Sequence, residues 1–497
     1  MSTQKAAFCA AYGAGRGGIA WTTLVSDLET PVAVFLKLAH GRPHSFLFES
    51  VEGGVNRGRY SIVGMEPDLI WRCREGRAEL NRTARSAPHA FVAEAAAPLD
   101  SLRALIAETR LDLPDGLPPM TGGLAGYLGY DMVRQMERLP DLGHPDLGLP
   151  DAILGRPTLF AIFDTVRDEL TLAAPRYPAA GISAEAAWAD AGAALAQARA
   201  ALDRPMPHQA PPVVLPALPE PDSTVSKPDF LAMVERMKEY IAAGDIFQAV
   251  PSQRFSVPFA LPPFALYRAL RRLNPAPFLF HLDFGGFAVV GASPEILVRL
   301  RDGTVTLRPL AGTRRRGATP EEDLALEREL LADPKERAEH LMLLDLGRND
   351  VGRVAEIGSV QVTESFAIER FSQVMHISST VEGRLRPGLD ALDALIAGFP
   401  AGTLTGAPKI RAMEIIEELE PTRRGIYAGC VGYFAANGTM DTCIGLRTAI
   451  VKDGVMHVQA GGGVVADSVP ELEWEESRQK ARALFRAAAE AVRFAAG

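Results

Sequence analysis

The residues best placed to do chemistry lie near the C-terminal end, in Gln459 to Lys480, QAGGGVVADSVPELEWEESRQK. An alternating run, Val455 to Gln459, reads as a strand. Gly461, Gly462 and Gly463 follow at once, with no side chains to keep a ligand from their backbone N–H groups. Ser468 with Glu471 three residues later has the form of a capping box, and Pro470 suits a first helical turn. On the helix so begun, Glu473 and Glu476 stand at i, i+3 on one face, and Lys480 lies four residues beyond Glu476. Donor backbone beside cation-seeking carboxylates suits an anion held through a metal ion. A turn followed by a solvated acidic helix start has the same pattern, because the helix dipole favours carboxylates there. This stretch alone leaves both readings open.

Other segments pose the same choice. Gly312 and Thr313 follow a strand in Pro309 to Gly317, which is otherwise a basic turn. Glu339 sits inside an apolar helical pattern, Glu336 to Asp350, where a structural partner Arg or Lys is the plainer explanation. Thr403 belongs to GTLTGAPK, which precedes a helix whose N-terminus could take an anion or simply be capped. His376 is a lone histidine in a strand, the usual setting of a satisfied core residue. Gly13 to Gly18 matches G-x-G-x-x-G, but no helix pattern follows and no acidic residue stands at the expected distance.

The elements that must position these residues come from a chain of 497 residues, long enough for two or three domains. Hydrophobic residues make 47% and charged residues 23%, which indicates a globular protein with a sizeable core. A net charge of −9 argues against nucleic acid or an anionic membrane as the main partner. No apolar run approaches the roughly 18 residues of a spanning helix. The short AAFCAA run after Lys5 is too brief for a secretory signal, so a cytoplasmic chain is expected. Cys9, Cys73, Cys430 and Cys443 form no C-x-x-C and read as reduced thiols. None has the nucleophile-elbow setting that a glutaminase needs.

Arg204 to Pro228 contains eight prolines and reads as a linker. It divides an N-terminal domain, 1–203, from a C-terminal domain, 229–497. Runs of antiparallel-type strands with inserted helices predict an α+β fold. Helices are expected at Lys227 to Ala243, capped by Ser226, and as one long element from Pro320 to Leu346.

Taken in order, the segments FESVEGGVNRGRYSIVG, GDIFQAVPSQRF, GASPE, RPLAGTRRRG, AEHLMLLDLGRND, GTLTGAPKIRAMEII, GCVGYF, DTCIGLRTAIV and QAGGGVVADSVPELEWEE resemble the chorismate-utilising enzymes. The likeness is greatest to the large subunits, component I, of anthranilate synthases. It covers the C-terminal part nearly end to end and the N-terminal part more thinly. The resemblance implies a two-sheet antiparallel core flanked by helices, with the site in a cleft of the C-terminal domain. It implies a Mg2+ ion on Glu339 and Glu476, with Glu473 beside them. Chorismate contacts carry over to Gly312, Thr313, Tyr427, Arg447, Gly461, Gly462 and Gly463. Glu295 matches the general acid for the departing hydroxyl, His376 the residue of the elimination step, and Thr403 an orienting hydroxyl.

The family's water-activating lysine is replaced here by Gln248, and the lysine of many aminodeoxychorismate synthases by Ala311. Both absences imply amination by ammonia, and so tryptophan biosynthesis. A hetero-oligomer is then expected, in which a glutamine amidotransferase subunit supplies the ammonia. An L-tryptophan inhibitor site carries over to Ser50, Tyr60, Pro277, Phe278 and Leu279. Small departures are Leu310 for Ile, Gly462 for Ala and Tyr60 where other members can have Lys.

Overall fold

The computed structural model describes residues 3–52, 56–206, 218–371 and 374–495. Part of the proline-rich segment therefore lies outside the described residues. Among these residues no helix is long and apolar enough to cross a membrane.

Among the described residues, hydrogen bonds join 21 strands into one network, and every pairing in it is antiparallel. The period-2 alternation of side chains folds this network into two layers. Phe46, Ile62, Phe280 and Val289 point into a core built almost entirely of strand residues, where sheet packs on sheet. Their neighbours Leu47, Val63, Leu279 and Val290 point the other way, against the helices Pro31–Leu38, Pro263–Leu273 and Pro470–Glu490. A third core covers the outer side of the second layer with Pro98–Glu108, Pro334–Gly352 and Ala391–Gly398. The order is therefore helix, sheet, sheet, helix.

One strand makes the corner. Tyr60–Arg74 contributes Val63 and Met65 to the first helix-facing core and Leu69 and Trp71 to the second. Its register with Ala152–Asp164 shifts between Pro67 and Leu69, where a bulge lets the strand change layers. The expected two-sheet core is thus one hydrogen-bonded network bent into two layers.

The segments on either side of the linker share these sheets. Ser45–Glu49 pairs with Phe278–Asp283, with Glu49 opposite Leu279. Gly123–Leu128 pairs with Cys430–Ala435. Within the linker, Asp222–Ser223 pairs with Ser256 and Phe255, and Ser226 caps Lys227–Ala243 through the Asp229 N–H.

Two local expectations are corrected. The single helix from Pro320 to Leu346 is two, Pro320–Ala332 and Pro334–Gly352. Asp333 ends the first and caps the second through the N–H groups of Lys335 and Glu336, and Pro334 cannot continue the first ladder. Ser468 is not a helix cap: Val469 flanks Pro470–Glu490, and the Ser468 hydroxyl instead accepts from the Val465 N–H at 3.1 Å.

Candidate active site

Two helices each bring a pair of carboxylates at i, i+3 from their first two turns. Pro334–Gly352 carries Glu336 and Glu339; Pro470–Glu490 carries Glu473 and Glu476. Burial pushes the Glu339 and Glu473 carboxyls upward, and Glu336 and Glu476 respectively add to this by repulsion. Glu473 Oε2 is buried and has no hydrogen-bond partner. Glu476 is half exposed and is held by Lys480 at 2.7 Å, while the same ammonium donates to the Gly461 carbonyl at 2.9 Å. Arg314 pairs with Glu336 at 2.9 Å, so Glu339 and Glu473 are the two carboxylates of this site for which no ion pair forms among the described residues. A hard divalent cation fits this oxygen donor set, and Mg2+ needs few carboxylates because it keeps waters. Among the described residues no group of three or more His, Cys, Asp or Glu side chains closes round one point. The carboxylates face the space from two helices and do not form a finished cage.

The glycine run lies against the same groups. A Cβ on Gly463 would stand 2.3 Å from the Gln248 amide nitrogen, so any larger residue there would have to push this amide aside. A Cβ on Gly462 would meet Glu473 Oε2 at 3.1 Å and Glu476 Oε1 at 3.2 Å, flexible ends that can give way, as an alanine there requires. Gln248 is 2% exposed and donates its amide to Glu339 Oε1 at 3.1 Å. Gln248–Ala249 pairs with Gly406–Ala407, which places the glutamine beside the short helix Gly402–Thr405 that carries Thr403.

Glu295 is 6% exposed. Burial pushes its carboxyl up to about 8, against the pull of the Thr403 hydroxyl, the Leu310 N–H and the Arg447 charge. Thr403 Oγ1 donates to Glu295 Oε1 at 3.0 Å, and the Leu310 N–H approaches the same oxygen at 3.4 Å. Arg447 is partly buried in the turn between Met440–Ile444 and Thr448–Lys452, with a left-handed φ of 49°. A non-glycine residue there costs on the order of 1–3 kcal/mol, and such strain clusters at functional sites.

His376 opposes Thr313 across the paired strands Leu310–Arg315 and Val374–Arg384. Its Nδ1 lies 3.2 Å from the Gly312 carbonyl and 3.0 Å from the Thr313 hydroxyl. A carbonyl can only accept, so the proton sits on Nδ1 and Nε2 keeps its lone pair. Burial, then the Arg447 charge, lowers this imidazole to about 3, so it is neutral at working pH. Gly312, at φ 76°, makes the bulge that aims its carbonyl at the ring.

Each expected site residue thus has a place. Glu295, Thr403, Arg447, His376, Gly312 and Thr313 form one linked set. Gln248, the glycines and the acidic residues form a second, and the 402–407 segment, one helical turn and a short strand, joins the two. Tyr427 is buried, with its ring 5.4 Å from the Arg424 guanidinium. Arg424 was not singled out from the sequence.

A separate cavity of about 570 Å3 opens where the chain segments across the linker meet. Ser50, Tyr60, Pro277, Phe278 and Leu279 all line it, although 217 residues separate Tyr60 from Pro277. Glu49 lies in its wall, fixed by Arg271 (2.6 and 2.9 Å) and by the Tyr267 hydroxyl at 2.5 Å. The wall also includes Ile296 and Leu310, the neighbours and support of Glu295.

Residues 57–486 match the family of chorismate binding enzymes. The chain is 58% identical to anthranilate synthase component 1 of Cereibacter sphaeroides, over 97% of this chain and 96% of that one. It is 49% identical to the Pseudomonas putida protein of the same name, over 98% of each. Its fold matches the crystal structure of anthranilate synthase component I from Streptococcus pneumoniae at 36% identity and a TM-score of 0.75, covering 93% of this chain and 98% of that one. With its fold and most of its length held in common with them, the chain belongs to the chorismate-binding enzymes, in the group of the anthranilate synthase component 1 proteins.

Proposed function

We propose that the protein makes anthranilate from chorismate and ammonia. Mg2+ would be held by Glu339 and Glu476, with Glu473 beside them. What supports this most is one pairing of opposite protonation states: a carboxyl kept protonated at neutral pH, Glu295, and an imidazole kept neutral, His376, with the Arg447 charge acting on both. One group can give a proton and the other can take one, as amination followed by elimination requires.

Chorismate carries two carboxylates. The Arg447 fork and the N–H groups of Gly461, Gly462 and Gly463 suit the enolpyruvyl carboxylate. Gly312, Thr313 and Tyr427 complete the contacts. When bound, Mg2+ supplies positive charge to the ring carboxylate. Ammonia attacks ring C2 with its lone pair while the C4 hydroxyl leaves, taking the Glu295 proton to become water. The new ammonium gives up a proton, leaving an aminated, non-aromatic ring. His376 Nε2 then takes the C2 proton, the C3–oxygen bond breaks, and enolpyruvate leaves and is protonated to pyruvate. Thr403 orients Glu295, and the Gln248 amide holds ammonia. An amide cannot take a proton from water, which is why ammonia is favoured as nucleophile.

Ammonia would come from a separate glutamine amidotransferase subunit. Burial pushes the Cys73 and Cys430 thiols up to about 12 and also raises Cys443 well above its ordinary value, so none of these three offers a thiolate to glutamine. L-Tryptophan would bind in the 570 Å3 cavity as inhibitor. The deciding experiment gives the purified chain chorismate and Mg2+ with ammonium, with glutamine, or with neither. Anthranilate and pyruvate are expected with ammonium alone, and Gln248→Lys should lower their yield. Isochorismate from the unmodified enzyme at a comparable rate would overturn the reading.

A further inference from the structure

The Glu420–Arg424 pair is almost fully enclosed, with side chains 4% and 1% exposed. Such a pair is poorly explained by stability, because its desolvation offsets its attraction and an apolar replacement is often no worse. Its partners suggest another role. Arg424 Nε and Nη2 bind the two Glu420 oxygens at 2.9 and 2.6 Å. The remaining reach of the fork goes to two backbone carbonyls: Leu404 at 2.7 Å and Val250 at 2.6 Å. Leu404 follows Thr403, whose hydroxyl holds Glu295. Val250 lies two residues past Gln248. Glu420 Oε1 in turn accepts from the Ser252 N–H and hydroxyl, both at 2.8 Å, and the Gln459 amide donates to Ser252 Oγ at 2.9 Å. Gln459 lies two residues before the glycine run. The rings of Tyr130 and Tyr427 flank the guanidinium at 5.0 and 5.4 Å.

One buried guanidinium therefore ties the acid side of the site to the nucleophile side, touching neither Glu295 nor Gln248. We propose that Arg424, locked by Glu420, is a positioning residue that sets the spacing between the Thr403–Glu295 and Gln248 segments. This rests on the reading of Glu295 as general acid. A lysine at 424 offers a point charge in place of the planar fork and cannot hold both carbonyls and the carboxylate.

If the Leu404 anchor slackens, Thr403 retreats from Glu295. The carboxylate then loses a donor that lowers its proton affinity, while Arg447 and Glu369 still face it. Arg424→Lys should therefore lower kcat on the order of 10- to 100-fold, the scale of a displacement of about 1 Å, with a much smaller change in KM for chorismate. It should also move the alkaline limb of kcat, read at fixed free ammonia, to higher pH. Glu420→Gln should do the same more weakly. Ser252→Ala, which removes one hydroxyl from the clamp and no charge, keeps the test open if the charged variants do not fold. In a Thr403→Val background, Arg424→Lys should shift the limb no further. An enzyme that is merely destabilised loses active molecules at every pH and keeps its limb in place. An unmoved limb in every folded variant would overturn the inference. Glu295→Gln provides the separate control: if the alkaline limb survives it, the reading of Glu295 is at fault and not the role of Arg424.

Discussion

Lys480 bonds Glu476 at 2.7 Å and the Gly461 carbonyl at 2.9 Å, so one ammonium joins the acidic helix to the glycine run. The carboxylate that would hold a metal is thus kept in place by a neighbour that a cation must compete with or reposition. Glu476 is 49% exposed, and its contribution to stability is small. Glu476→Ala is expected to fold with a melting point close to that of the parent, yet to lose most turnover. Titration with Mg2+, followed by activity and by thermal shift, checks this. Equal activity before and after chelation would remove the metal from Glu339 and Glu476 altogether.

The pH dependence follows from Glu295. Its folded carboxyl titrates at about 8, above the unfolded value, so its contribution to stability is fully present below the unfolded pKa and is lost as pH rises through about 8. The acid is protonated in the same window, so kcat at fixed free ammonia should fall above about pH 8. Glu295→Gln should lose amination and show a flatter stability profile between pH 5 and 9. Thermal melts across that range, beside rate profiles, test both.

The Ser50 side chain packs against Gly58, where an added Cβ would come within 2.4 Å of Ser50 Cβ, so this wall of the cavity has no spare room. Ser50→Phe is expected to fill the cavity from its rim and weaken tryptophan inhibition at least tenfold, while activity without tryptophan stays close to the parent's. Calorimetry reads binding directly. Unchanged affinity in the variant would place the inhibitor elsewhere.

His376→Met removes the Nε2 lone pair and leaves Glu295 and its supports intact. Amination should continue and pyruvate release should stall, so an aminated, non-aromatic product accumulates and is visible by chromatography. Parallel loss of both steps would make the histidine a structural residue of the pairing between Leu310–Arg315 and Val374–Arg384.

Spacing within one element was legible in the sequence. The i, i+3 pair Glu473 and Glu476 and the Ser226 cap depend only on near neighbours. What the sequence hid was competition between neighbours. Ser468 has the form of a cap, but the Val465 N–H takes its hydroxyl. The charged run to Leu346 has a helical period, but Asp333-Pro334 divides it. Arg424 could not be read at all, because the carbonyls it holds lie 20 and 174 residues away and carry no side-chain signal. The cavity wall likewise depends on a register, Glu49 opposite Leu279, that only the assembled sheet supplies.

The strand pairing across the linker also bears on how the chain is made. Gly123–Leu128 waits for Cys430–Ala435, a partner synthesised about three hundred residues later. At ribosomal rates that interval is roughly 15 to 60 s, during which an apolar strand has its neighbour Ala152–Asp164 on one edge and none on the other. Folding of the sheets is therefore a late event on the ribosome, governed by contacts of long sequence separation and correspondingly slow. The first two hundred residues are not a module that can be exchanged intact between relatives; a chimera joined at the linker must match strand partners on both sides of the join.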